Sequence, residues 1–204
     1  VAKKILWVLF AVFAILIGLY PVIYFLQDRK FGLLGGKSDE LLANIAWNTG
    51  FYTHIILGGL ALLIGWIQFS EKFRNRNLKL HRLSGKVYVI AVLLSASAGI
   101  YIGFFASGGI VAASGFISLG IIWFYTTLMA YIYIKNKRLE QHRQMMIYSY
   151  AACFAAVTLR IWLPLLSIGF GDFITAYRIV AWLCWVPNIA VAFLIIRNLK
   201  VQEI

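Results

Sequence analysis

Apolar runs alternate with short polar segments along the whole chain. Six runs are long enough to cross a bilayer, at about residues 5–26, 49–69, 85–106, 110–134, 145–168 and 174–196. At about 1.5 Å of rise per residue, such runs match a hydrocarbon core about 30 Å thick. The polar segments supply the turns, including Ser107-Gly108-Gly109 and Gly169 to Asp172. No internal repeat is evident. Near the end of the first run stands Pro21. It has no N–H for the Ile17 carbonyl, which predicts a kink.

Two stretches break the simple alternation. In the first long loop, Ser38 precedes Asp39 and Glu40, a cap followed by acids suited to a helix start. Leu41, Leu42, Ile45 and Ala46 then form an apolar stripe that ends at Trp47. This pattern predicts a short helix over about 39–47, lying in the interface as a candidate lid. In the second run, His54, Gly58, Ala61, Gly65 and Gln68 recur at helical spacing and fall on one face. That face is small in the middle and polar at both ends. It suits either close approach of a second helix or a flat ligand. Ser95 to Gly99, with Gly103, gives the third run a similar small-residue surface.

Composition turns the pattern into a class. Of 204 residues, 62% are hydrophobic and 13% charged, and the mean hydropathy is +0.85. No soluble domain of this size hides so much apolar surface. The expected fold is all-α: an integral membrane bundle of six transmembrane helices, one domain over residues 1–204. The net charge of +12 need not mean nucleic acid, and none is expected as a partner. Lys72, Arg74, Arg76, Lys79, Arg82 and Lys86 fill the second loop; Lys135, Lys137, Arg138 and Arg143 fill the fourth. Lys3, Lys4, Arg197 and Lys200 lie at the termini, whereas the first loop carries only Arg29, Lys30 and Lys37. This bias puts both termini in the cytoplasm and the basic loops against anionic lipid. Lys3-Lys4 before an apolar run resembles a signal peptide, but the run has no clear small-x-small site and reads as a retained span.

Polar residues at membrane depth are the candidate chemistry. His54 falls about 8 Å, Arg160 about 12 Å and Arg178 about 6 Å inside the outer boundary. All seven acidic residues lie in loops or terminal segments. An intramembrane arginine costs about 2.5–3.5 kcal/mol on insertion scales. Pro164 frees the Arg160 carbonyl as a local acceptor, and Asp172 is within sequence reach of Arg178. His54, Arg160 and Arg178, with Tyr177 and Asn188, form a candidate site for a carboxylate, a phosphate or a quinone-type carbonyl. The competing reading gives Arg160 to helix carbonyls and lipid phosphate, His54 to a packed hydrogen bond, and Gly58/Gly65 to a helix contact.

A second cluster lies at the cytoplasmic face, with His81-Arg82, His142-Arg143 and Gln68. Two histidines can ligate a metal or a b-type haem; a basic lipid-facing surface explains the same residues. Cys153 and Cys184 fall at similar depth and read as buried thiols. No Cys-x-x-Cys, Gly-x-Ser-x-Gly, His-Glu-x-x-His or phosphate loop occurs, so no reaction is identified.

The separated motifs form an ordered set: His54-Ile55 with Gly58, Ala61, Gly65 and Gln68; Leu80-His81-Arg82 with Gly85 and Tyr88; His142-Arg143; Ala156 to Arg160; and Ala176-Tyr177-Arg178 through Trp182, Trp185, Pro187 and Asn188. Over roughly residues 50–190 this set resembles a family of bacterial predicted membrane proteins, domain of unknown function 2306. Tyr148 departs from the pattern, which implies a basic residue nearby. The resemblance implies a multi-span membrane protein and brings no activity. Three functional readings stay open: binding of an anionic or quinone-like ligand, electron transfer through haem at His81 and His142, and a structural or assembly subunit.

Overall fold

The computed structural model describes residues 2–202, and side chains from residue 4 to residue 199. The Lys3 and Lys200 side chains, which enter the charge bias above, lie outside the described residues. Among the described residues there is no strand. Among the described residues, six helical segments are long and apolar enough to cross a membrane: Lys4–Leu26, Ile45–Phe69, Leu78–Gly103, Gly109–Lys135, Leu139–Phe170 and Phe173–Leu199. The chain falls into two compact units, Val1–Ile102 and Gly103–Ile204. Large apolar side chains stand outward on both, such as Ile45 at 82% and Ile110 at 84% exposure. That surface is stable against acyl chains and not against water.

The first unit opens with α1 (Ala2–Leu19). Tyr20–Val22 tightens into a 3-10 turn around Pro21, and α2 (Ile23–Leu26) resumes the span. The missing proline N–H explains why the helix changes hand-hold at this point. After the loop, α3 (Asp39–Ala43) starts at Ser38, whose hydroxyl accepts from the Leu41 amide at 3.3 Å. The helix expected over 39–47 is interrupted. Asn44 adopts an extended conformation and caps a new helix, α4 (Ile45–Gly65), by accepting from the Trp47 amide at 2.9 Å. Trp47 therefore belongs to the second span. It is 2% exposed and stacks on Phe51 at 5.3 Å, inside a cluster with Tyr24, Leu34 and Leu42. A 3-10 turn, Trp66–Phe69, ends that span. Then come α5 (Glu71–Arg76), capped by Ser70, and α6 (Leu78–Gly103).

Gly59 brings two helices of this unit into close approach. A Cβ on Gly59 would lie 2.6 Å from the Gly18 carbonyl oxygen and 2.9 Å from Pro21 Cγ. So α1 and α4 touch backbone to backbone, as small residues permit in membranes. The predicted small surface of α6 meets α4. Ser95 and Ala96 are fully buried, and a Cβ on Gly99 would strike the His54 ring at 2.8 Å.

The second unit holds α7 (Gly109–Lys135), α8 (Leu139–Cys153), α9 (Ala155–Phe170), α10 (Phe173–Leu183) and α11 (Val186–Gln202). Gly109 and Gly171 take positive φ, 67° and 65°, at the two turns, which glycine adopts without Cβ strain. On α7, Gly115 allows α10 so close that a Cβ there would sit 2.7 Å from the Ala181 carbonyl oxygen. Spans five and six are each made of two helices. One breaks at Phe154, the other at Cys184-Trp185.

Candidate functional site

Both breaks fall near the middle of their spans, Leu139–Phe170 and Phe173–Leu199. A break at that depth exposes carbonyls that lipid cannot satisfy, so it persists only where protein supplies donors. Pro187 accounts for one: it offers no N–H to the Leu183 carbonyl, so α10 ends and α11 restarts around it. At Phe154 the chain tightens instead. The Val157 and Thr158 amides both donate to the Phe154 carbonyl, at 2.9 and 3.2 Å.

Two side chains bind the breaks to each other. The Thr158 hydroxyl, on α9, donates to the Cys184 carbonyl in the break of span six. The Asn188 amide, on α11, donates toward Cys184 O at 3.0 Å, Thr158 Oγ1 at 3.2 Å and Ala151 O at 3.3 Å, the last in the final turn of α8. Each broken span thus lends a side chain to the other's backbone. The surroundings are dry: Cys184 is fully buried, Ala155 2% exposed and Cys153 4%. Both cysteines are free thiols beside the breaks. Low polarity strengthens such bonds and raises the cost of losing one. Asn188 stood among the candidate residues. Thr158 had entered only through the family motif, and Pro187 beside Asn188 was the signal that could have exposed the break.

Arg160 and Arg178 are held by backbone. Arg160 Nη1 donates to the Ala156 carbonyl, one turn back on α9, at 2.8 Å. Arg178 Nε donates to the Gly108 carbonyl at 2.9 Å, bringing the start of α10 to the turn before α7. Gly108 fits there because a Cβ would lie 3.0 Å from Arg178 Cγ and 3.3 Å from the Tyr177 ring. Tyr177 is buried, stacked on Phe173 at 5.3 Å and tilted against Phe116 at 5.3 Å. Asp172 spends its oxygens as the α10 cap. It accepts from the Thr175 hydroxyl at 2.6 Å, the Thr175 amide at 2.8 Å and the Ile174 amide at 3.3 Å. Those bonds, the hydroxyl first, hold its carboxyl below the usual carboxylate range, and the Arg178 charge adds the smallest part. The Asp172–Arg178 pair anticipated from sequence is therefore a weak field effect beside a helix cap.

Elsewhere the candidate residues have local tasks. His54 Nδ1 lies 3.0 Å from the Ser95 carbonyl oxygen, so that nitrogen carries the proton. The Ser95 hydroxyl in turn donates to the His54 carbonyl at 2.9 Å. Ala61 and Gly65 are buried and Gly58 half-buried. Gln68 donates to the Ser84 hydroxyl at 2.6 Å, tying the end of span two to α6. His81 sits half-buried near the start of α6, and Arg82 and Arg143 are exposed. His142 Nδ1 is 2.8 Å from the Ala130 carbonyl oxygen on α7. Among the described residues, no three His, Cys, Asp or Glu side chains come together as a metal set.

The family described as predicted membrane protein, DUF2306, matches residues 51–196. The chain belongs to this family. It is a multi-pass membrane protein, and the matched region of DUF2306 contains both helix breaks, both arginines and the His54–Ser95 contact. No curated protein and no solved structure matches the chain.

Proposed function

We propose that this DUF2306 protein binds a small anionic or quinone-like molecule through the second unit. Arg160 and Arg178 are the charged donors, and Tyr177 shapes the apolar wall. Asn188, with Thr158, holds the broken spans that carry them. The observation behind the reading is a charge imbalance. Two guanidinium groups stand on the adjoining helices α9 and α10 and bond backbone carbonyls. The acids of this unit are Glu140 at the head of span five, Asp172 in a turn and Glu203 at the chain end. An incoming carboxylate, phosphate or quinone carbonyl gains charge-assisted hydrogen bonds in a low-dielectric setting. The basic bias of the loops supports cytoplasmic termini and anionic lipid at that face, in the cytoplasmic membrane of a bacterium. On this reading the chain acts as one transmembrane domain.

The test is to purify Arg160→Ala and Arg178→Ala beside the wild-type protein. Co-purifying small molecules are then identified by native mass spectrometry, and thermal shifts are read with menaquinone and with fatty acid. Loss of the bound species and of the shift in the variants is the expected result. Unchanged contents and unchanged shifts overturn the reading. A haem reading draws on one observation: the Ala130 carbonyl fixes the His142 tautomer and leaves Nε2 as the basic nitrogen, as in many ligating histidines. A haem-supplemented preparation without a Soret band eliminates it.

A further inference from the structure

A separate, open groove of about 690 Å³ lies along one face of α4 in the first unit. Its volume falls within the range of about 300–1,000 Å³ common to small-ligand sites. Arg29 and Asn48 line one end; Ile45, Thr49, Tyr52, Thr53 and Ile56 continue along the helix. Residues 45, 49, 52 and 56 recur at helical spacing, so they form one stripe. Below Asn48 the stripe runs to Ile56, about 12 Å, most of the depth of one leaflet, which is about 15 Å. Its apolar members are open: Ile45 is 82% exposed and Ile56 45%.

The head of the groove is cationic and fixed. Arg29 Nη2 donates to the Leu42 carbonyl and to Asn48 Oδ1 at 2.5 Å, which clamps the guanidinium between α3 and α4. Both bonds use Nη2, so Nε and Nη1 keep their donors for another partner. The neighbouring acids are engaged elsewhere: Asp39 pairs with Lys30 Nζ at 2.7 Å, and Asp28 accepts from the Lys30 amide at 2.9 Å. We infer that this groove is a phospholipid site, with Arg29 on the phosphate, Thr49 at the glycerol level, and one acyl chain along Tyr52, Thr53 and Ile56. A charged fork above an apolar furrow about 12 Å long matches a lipid better than a free anion, which would leave the furrow bare. It also matches better than a neutral lipid, which would leave the fork bare.

The test uses the full chain in detergent, read by native mass spectrometry with added phosphatidylglycerol, diacylglycerol or inorganic phosphate. The wild-type protein is expected to retain phosphatidylglycerol and not diacylglycerol. Arg29→Gln should weaken retention about tenfold, the scale of one charge-assisted bond. Thr49→Phe fills the groove from an exposed position without touching the arginine clamp, and should weaken retention to a similar degree. Arg76→Gln, an exposed basic residue on α5, should change nothing. The inference is overturned if both Arg29→Gln and Thr49→Phe retain lipid as the wild type does, if diacylglycerol binds equally well, or if inorganic phosphate displaces the lipid.

Discussion

The α4–α6 seam of the first unit and the paired breaks of the second both place polar groups at membrane depth, for opposite reasons. In the seam the helices are continuous, and their backbones are satisfied internally. His54, Ser95 and Gly99 therefore add contact between finished helices. In the breaks the helices are unfinished, and Thr158 and Asn188 replace donors that the backbone itself lacks. The first arrangement is packing with a polar accent. The second is repair, and its loss leaves bare carbonyls in an apolar medium.

That contrast can be broken or sharpened by substitution, with thermal unfolding in detergent as the common measurement. The largest effect is expected where backbone meets backbone. Gly115→Val puts atoms against the Ala181 carbonyl, which cannot move aside, and should cost about 3 kcal/mol or prevent folding. Gly59→Val should do the same in the first unit by striking Gly18. Next comes Asn188→Leu, expected to cost about 1–3 kcal/mol because the Ala151 carbonyl loses its side-chain donor. Thr158→Val should cost somewhat less, since Asn188 still reaches Cys184. The double variant should depart from additivity by about 0.5 kcal/mol or more, as residues sharing one acceptor do. Additive costs would show that the two side chains serve their breaks independently.

Smaller again is Ser95→Ala. Interhelical hydrogen bonds between membrane helices average about 0.6 kcal/mol, and the α4 and α6 backbones remain satisfied without this one. A cost equal to that of Asn188→Leu would erase the distinction between accent and repair. The smallest effect concerns Asp172. Its folded-state pKa is depressed, so its contribution is complete above the ordinary carboxylate value and fades as pH falls through the lower, folded-state one. The protection of the Ile174 and Thr175 amides, measured relative to intrinsic exchange, should therefore fall on acidification in the wild type. In Asp172→Asn it should show no such step.

Much of the fold could be read from the chain, because a bilayer punishes any long apolar run that is not helical. Residue-level partners were less legible. Helical spacing put Ser95 and Gly99 on a packing surface and His54 on a polar-ended face, yet spacing cannot say which carbonyl a ring will meet. The short interfacial helix failed at Asn44, where a side-chain cap competed with the apolar stripe and won. Asp172 looked like an ion-pair partner because proximity in sequence hides the geometry of a helix start.

Hydropathy, charge bias and glycine placement by themselves determined a six-span helical membrane protein and marked Arg160, Arg178 and Asn188 as costly residues at depth. Each of those inferences rests on transfer free energy, which depends on composition and local order alone. Tertiary structure decided that spans five and six are broken, that Thr158 and Asn188 exchange support across the breaks, and that Arg178 answers to Gly108. Those facts depend on which backbone groups are left without a helical partner after packing, and on the side chains from other segments that arrive to meet them.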